Sequence, residues 1–146
     1  MIKSFFNPGT YSQNINLTLL LLRIVAGIFM LTHGIGKFEQ LMGESPIQFP
    51  DPLGVGASAS LFLAVFAEVF CSLLLIFGLI TRFSAAVLLI TMLVAAFVFH
   101  INDEFARQEL PLLYATMYAM LLLLGAGKFS VDQLIYTNLT RNSRIS

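Results

Sequence analysis

Residues 17–37 read LTLLLLRIVAGIFMLTHGIGK, and the fold turns on this stretch. Up to Gly36 its only formal charge is Arg23. At ~1.5 Å rise per residue, about 20 apolar residues cross a hydrocarbon core ~30 Å thick. The run is that long, and three more follow at 57–80, 83–101 and 110–127. With 58% hydrophobic and 11% charged residues, the chain departs from the composition of a soluble domain. The sequence therefore predicts an all-α, polytopic membrane protein: one domain over residues 1–146, folded as an antiparallel four-transmembrane-helix bundle.

A plain apolar helix has no need of the HGIGK that closes this run. At 100° per residue, Arg23, Gly27, Met30, Gly34 and Lys37 fall on one stripe, with His33 at its edge. Glycine on such a stripe lets a neighbouring helix or a bound molecule come close. The stripe thus predicts that helix one turns a polar, close-packing face toward the others.

Elsewhere the connections carry the information. GLITR, residues 78–82, is so short that the second and third helices must be neighbours; glycine ends one helix and Arg82 is expected to snorkel to the headgroups. The connection 37–56 is long and holds Pro46, Pro50 and Pro52, which exclude a continuous helix; it reads either as a lid over the mouth of the bundle or as a loosely ordered connection. In GKFSVDQLIYTNL, residues 127–139, Ser130 and Gln133 are spaced as a capping box. They start a short C-terminal helix expected to lie in the interface as an anchor.

Orientation follows the lysines and arginines outside the spans. Lys3, Arg82, Lys128, Arg141 and Arg144 fall on one side, Lys37 and Arg107 on the other, so both termini are predicted to be cytoplasmic in a bacterial inner membrane. The asparagine sequons at Asn16 and Asn138 are then on the unglycosylated side. No small-residue cleavage pattern follows the first run, so the first helix is expected to stay in place. A formal net charge of +0 without a basic cluster excludes nucleic acid as a partner. Cys71, inside an apolar run, reads as a packing residue.

Ionisable groups at membrane depth cost at least ~2.5 kcal/mol each and are therefore functional candidates. Four stand out: Arg23, His33, Glu68 and His100. Counting the rise from the cytoplasmic end of each span puts Arg23 lowest, Glu68 near the middle, and the two histidines level above it. Glu68 shares its face with Ala64, Cys71 and Ser72; His100 shares its face with Leu89, Leu93 and Ala96; Tyr114 and Tyr118 line one face of the fourth helix. Arg23 and Glu68 are read as a buried pair between helices one and two. His33 and His100 can pass protons. They could also ligate a haem or metal, but no further ligands accompany them, and no metal site is assigned.

Taken together, Arg23, HGIGK ending at Lys37, Glu68, GLITR, His100 and GAGKFSVDQL resemble the DoxX family of small bacterial four-helix membrane proteins over residues 17–134. The family pattern often has proline where this chain has Ala126. The resemblance implies a membrane subunit loosely tied to redox chemistry. Relatives of this type occur in thiosulfate:quinone oxidoreductases, beside thiol and superoxide defence enzymes, and in peptide-modifying operons. It also singles out Arg23, His33, Lys37, Glu68 and His100. The outer loops hold no cysteine, which argues against disulfide or persulfide chemistry by this chain alone.

The leading functional reading is a membrane subunit that binds a quinone or similar apolar, carbonyl-bearing molecule and supports a partner oxidoreductase. His33 and His100 would supply hydrogen-bond donors, Glu68 a proton, and Arg23 would hold Glu68 charged. Lys37, Tyr114 and Tyr118 would complete the ligand site. Two alternatives are a scaffold whose buried charges only fix helix register, and a transporter of protons or a small solute. Partners compatible with the sequence are the bilayer, an oxidoreductase or peptide-modifying system, and a second copy of the chain.

Overall fold

A computed structural model of the chain describes residues 6–142; Lys3 and Arg144, used above for orientation, lie outside them. Among the described residues there are helices and no strand. They are α1 (Gln13–Met42), α2 (Ala57–Phe77), α3 (Thr81–Phe99), α4 (Phe105–Leu124) and α5 (Val131–Asn142). The first three are long and apolar enough to cross a membrane. α4 is 20 residues long, but Arg107, Gln108 and Glu109 in its first turns and two tyrosines keep its composition short of that standard.

Two boundaries differ from the sequence reading. α1 runs on past Gly36 to Met42, because nothing between Gly36 and Gly43 breaks a helix and a lone interior glycine costs only about 1 kcal/mol. α4 begins at Phe105, with Pro111 inside it. The proline forfeits one backbone hydrogen bond but does not end the helix.

The predicted stripe on α1 is the buried one: Arg23, Gly27, Met30 and Gly34 are all covered. α1 packs along α2, and the broadest helix contact is between α3 and α4. Where α1 meets α2, a Cβ on Gly27 would lie 3.1 Å from the Ser72 carbonyl, and one on Gly34 3.0 Å from Glu68 Cβ. Any larger residue would push the helices apart, so glycine here sets the interhelix distance. Leu19, Met30, Cys71, Leu75, Leu88, Tyr118 and Leu121 fill the interior, with Cys71 fully enclosed as a packing residue. Leu21, Phe29, Phe62, Phe77, Ile90 and Leu123 point outward, each at 56% exposure or more. An apolar exterior of this extent suits a lipid surround and not water.

Two segments depart from the α-helical repeat. Phe66–Cys71 within α2 and Ala95–Phe99 at the end of α3 are π turns. Each inserts a residue into the helical register, a feature often found at functional sites. The second corrects the predicted face of α3. The His100 N–H bonds the Ala95 carbonyl, five residues back instead of four, so projecting backward from His100 at 100° per residue lands one position off. The buried line is Ala85, Leu88, Met92 and Ala96, while Leu93 faces outward.

The 78–82 turn is closed by α5. Gly78 takes the left-handed conformation at φ 69°, and the Leu79 N–H reaches back to the Leu74 carbonyl at 2.9 Å, a Schellman-type closure. Ile80 is also left-handed at φ 44°, a strained state for a β-branched residue. Asp132 of α5 holds it there: Oδ1 accepts from Ile80 N–H at 2.7 Å and Oδ2 from Thr81 N–H at 2.9 Å. Ser130 Oγ accepts from Gln133 N–H at 3.2 Å, as the capping-box spacing predicts.

Candidate functional site

The ionisable residues singled out in the sequence separate into two groups at opposite ends of the helices. The first surrounds Arg23, which is fully buried. Its Nη2 donates to the Phe129 carbonyl, and Asp132 is the anion that acts on it. This corrects the Arg23–Glu68 pairing read from the sequence. Arg23 points toward the 78–82 turn and the start of α5, where a free carbonyl and a carboxylate are available, and Glu68 has another partner. A Cβ on Gly78 would overlap the Arg23 guanidinium, so the turn and the arginine are fitted to one another. Arg82 is likewise drawn inward instead of snorkelling. Its Nη1 donates to the carbonyls of Leu122 at 2.7 Å and Leu123 at 3.2 Å, capping α4. Asn16 completes this end by accepting from Lys128 N–H at 2.7 Å and donating to the Tyr11 and Ser12 carbonyls, each at 2.9 Å.

The second group gathers at the far end. Lys37 Nζ donates to Glu68 Oε1, making the ion pair that joins α1 to the π turn of α2. The lysine has the reach because α1 continues as a helix through it, and Gly34, one turn earlier, lets Glu68 come close. Glu68 is buried, and its second oxygen, Oε2, has no hydrogen-bond partner among the described residues. A buried carboxylate oxygen left unpaired is costly and calls for a ligand or water. The Lys37 ammonium also lies 5.9 Å from the Phe49 ring centroid.

Two chambers meet at this pair. One, of about 520 Å³, is walled by apolar side chains of α2 and α3, among them Leu63, Phe66, Val87, Ile90 and Val94, and roofed by Phe49, Pro50, Pro52 and Leu53 of the loop. The other, of about 440 Å³, is lined by His33, Arg107, Tyr114 and Met30. Lys37, Glu68, Ala95 and His100 line both, so a polar wall divides an apolar chamber from a polar one. Each π turn contributes to that wall: Glu68 lies within one, and His100 directly follows the other.

His100 is held by its own turn. Its Nδ1 lies 2.6 Å from Asp103 Oδ2, its carbonyl accepts from Gln108 Nε2 at 2.8 Å, and its ring meets Phe99 edge-on at 4.6 Å. The hydrogen bond from His100 holds the Asp103 carboxyl below the usual carboxylate range, with Arg107 adding to the effect. His33 lies at the exposed edge of the polar chamber, edge-on to Tyr114 with ring centroids 6.1 Å apart. Tyr118 stacks beneath Tyr114 at 6.0 Å but is fully buried, its hydroxyl 3.5 Å from the Ala26 carbonyl, and lines neither chamber.

The roof is tied down by Asp51. Its carboxylate accepts from Gly56 N–H and Ser60 O–H at 2.7 Å each and from Val55 N–H at 3.0 Å. The Ser60 hydroxyl, followed by the backbone bonds, lowers the Asp51 carboxyl from its ordinary value.

The structure thus brings His33, Lys37, Glu68, His100 and Tyr114 together, and places Arg23 and Tyr118 apart from them. The sequence reading missed Asp132, Asp103 and Asp51, whose main partners are backbone N–H groups, the His100 ring and the Ser60 hydroxyl. Only Asp103 had a visible cue, its i, i+3 spacing from His100. Among the described residues no group of three or more histidine, cysteine, aspartate or glutamate side chains could hold a metal ion.

The profile of the DoxX family matches residues 18–101, a span that contains Arg23, His33, Lys37, Glu68 and His100. An uncharacterized protein of Haemophilus influenzae is 33% identical over 125 residues, covering 81% of this chain and 83% of its own length. A second from the same organism is 32% identical over 121 residues, 78% of this chain and 87% of its own. A Bacillus subtilis protein named "Putative oxidoreductase CatD" is 27% identical over 128 residues, 87% of this chain and 92% of its own. No solved structure matches the chain.

Proposed function

Because the chain belongs to the DoxX family, we propose that it is a membrane subunit which binds a quinone, or a similar ring with polar oxygens and a lipid-soluble body, in support of a partner oxidoreductase. The observation that carries this reading is the apolar chamber of about 520 Å³ that ends on Lys37, Glu68 and His100. Its volume falls within the range of small-molecule sites, which pair apolar walls with a few convergent polar groups. Its walls include exposed side chains of α2 and α3, Leu63 and Ile90 among them, so a lipid-soluble molecule would reach it from the side. Glu68 lines the chamber, and its Oε2, buried without a partner among the described residues, lacks a hydrogen-bond donor of the kind a ligand hydroxyl or a water would supply.

In this reading Lys37 takes the part first given to Arg23: it is the cation paired with Glu68, and it offers a donor to a ligand oxygen. Glu68 and His100 stand where a proton would be given or taken at that oxygen. A bound quinone supplies two-electron, two-proton chemistry that no side chain here supplies. We further place the protein as one domain of four antiparallel spans in the bacterial inner membrane. α4 is the fourth span, both termini are cytoplasmic, and the chambers open toward the periplasm. The opposed ends of Arg82 and Lys128 against Lys37 and Arg107 favour that orientation.

The test is purification in mild detergent followed by mass analysis of extracted lipids. A quinone near one per chain is expected from the native protein, with loss from a Glu68→Gln, His100→Ala double variant that still elutes as folded protein. Absence of any quinone, or equal quinone in the variant, overturns the proposal.

A further inference from the structure

The ring nitrogen of His100 that faces Asp103 is fixed by elementary chemistry. An ionised carboxylate only accepts hydrogen bonds, so at 2.6 Å from Asp103 Oδ2 the Nδ1 atom must carry the hydrogen. The carboxylate is kept ionised by that bond and by Arg107, whose Nη1 lies 3.8 Å away. The His100 backbone is held by Asp103 N–H at 3.1 Å and Gln108 at 2.8 Å, and its ring meets Phe99 edge-on. Nε2 is then the one ring nitrogen left to the two chambers that His100 lines.

We infer that Asp103 is a positioning residue: it holds His100 in the Nδ1–H form, so that Nε2 meets the chamber as a hydrogen-bond acceptor and the site takes a ring hydroxyl in preference to a ring carbonyl. In terms of ligand class, this means the hydroquinone form over the quinone. The ligand half of the inference rests on the quinone reading above; the tautomer half does not. The other titratable groups facing the same wall are Lys37, Glu68, His33, Arg107 and Tyr114. Lys37 leaves a donor for the ligand's second oxygen. A carbonyl opposite Nε2 would set two acceptors against each other in a mostly apolar chamber, leaving both unpaired.

Long-range 1H–15N correlation spectra of the detergent-solubilised full chain, labelled at histidine, read the tautomer directly. His100 should show a protonated Nδ1 and a bare Nε2 in the native protein and in Asp103→Asn, whose amide oxygen still accepts; Asp103→Ala should lose that signature. Calorimetric titration with decylubiquinol and decylubiquinone should show the quinol binding roughly tenfold tighter or more, a preference that collapses in Asp103→Ala and returns in Asp103→Asn. A protonated Nε2 in the native protein, or quinone bound as tightly as quinol, overturns the inference while leaving the quinone reading standing. Binding of neither compound overturns the quinone reading and the hydroxyl preference with it, and the tautomer spectra still decide the role of Asp103.

Discussion

At the end of the molecule that holds the 78–82 turn, buried polar side chains are bonded to backbone. Asp132 accepts from Ile80 and Thr81, Arg23 donates to Phe129, Arg82 caps α4, and Asn16 grips both Tyr11 and Lys128. At the chamber end, the polar side chains are bonded to one another: Lys37 to Glu68, and His100 to Asp103. The difference separates architecture from readiness to bind. A side chain bonded to backbone fixes where the chain goes and cannot release its partner without unravelling a turn. A side chain bonded to another side chain can exchange that partner for a ligand.

Removing Asp132 is the strongest way to break the comparison. Asp132→Ala leaves two backbone N–H groups, a strained Ile80 and a buried Arg23 without their anion. With charge-assisted hydrogen bonds worth ~1.5–3 kcal/mol each, the loss should be about 3–5 kcal/mol. Denaturant unfolding in detergent measures it, with Asp132→Asn recovering part through its single remaining acceptor. A loss below about 1 kcal/mol would mean that this end is no more structural than the other.

How much of this was legible in the sequence follows the same division. The apolar runs, the buried stripe of α1, the Gly78 break and the Ser130 cap all depend on neighbours within a turn or two, and periodicity reports such neighbours. The gathering of His33, Lys37, Glu68 and His100 was also legible, since an ionisable group in an apolar helix has few places to point. The partners were not. The sequence ends the first apolar run at Gly36 and puts Lys37 at the start of the connection, which leaves Arg23 as the cation for Glu68. Asp132 reaches a turn 52 residues earlier in the chain, and no local pattern records that. The π turns escaped because one extra residue per turn leaves an apolar helix looking equally apolar.

The roof over the apolar chamber offers an intermediate case, a carboxylate bonded to both backbone and side chain. Asp51→Ala should leave global stability nearly unchanged but release the Val55 and Gly56 amides, seen as faster hydrogen exchange there at neutral pH. The folded-state carboxyl is held below its ordinary value by Ser60 and the backbone N–H groups. Its contribution is therefore fully present above the unfolded value of ~3.9 and lost as pH falls through the lower folded value. The native loop should keep its protection from neutral pH down to about 5 and loosen only in stronger acid. Loosening between pH 7 and 6 would point to a histidine and away from Asp51.

The smallest stability effect should come from the pair at the centre of the proposed site. Replacing a buried ion pair by apolar residues of similar volume is often neutral or favourable, because two desolvation costs vanish together with the attraction. Lys37 retains 30% exposure of its side chain, so part of its hydration is never lost and the gain is limited. The double variant Lys37→Met, Glu68→Met should therefore unfold within about 1 kcal/mol of the native protein while its extracted quinone disappears. That combination, intact helices and an empty chamber, is what separates a binding pair from a structural one. A double variant destabilised as badly as Asp132→Ala would instead place Lys37 and Glu68 among the groups that hold the helices together, and the contrast between the two ends would be lost.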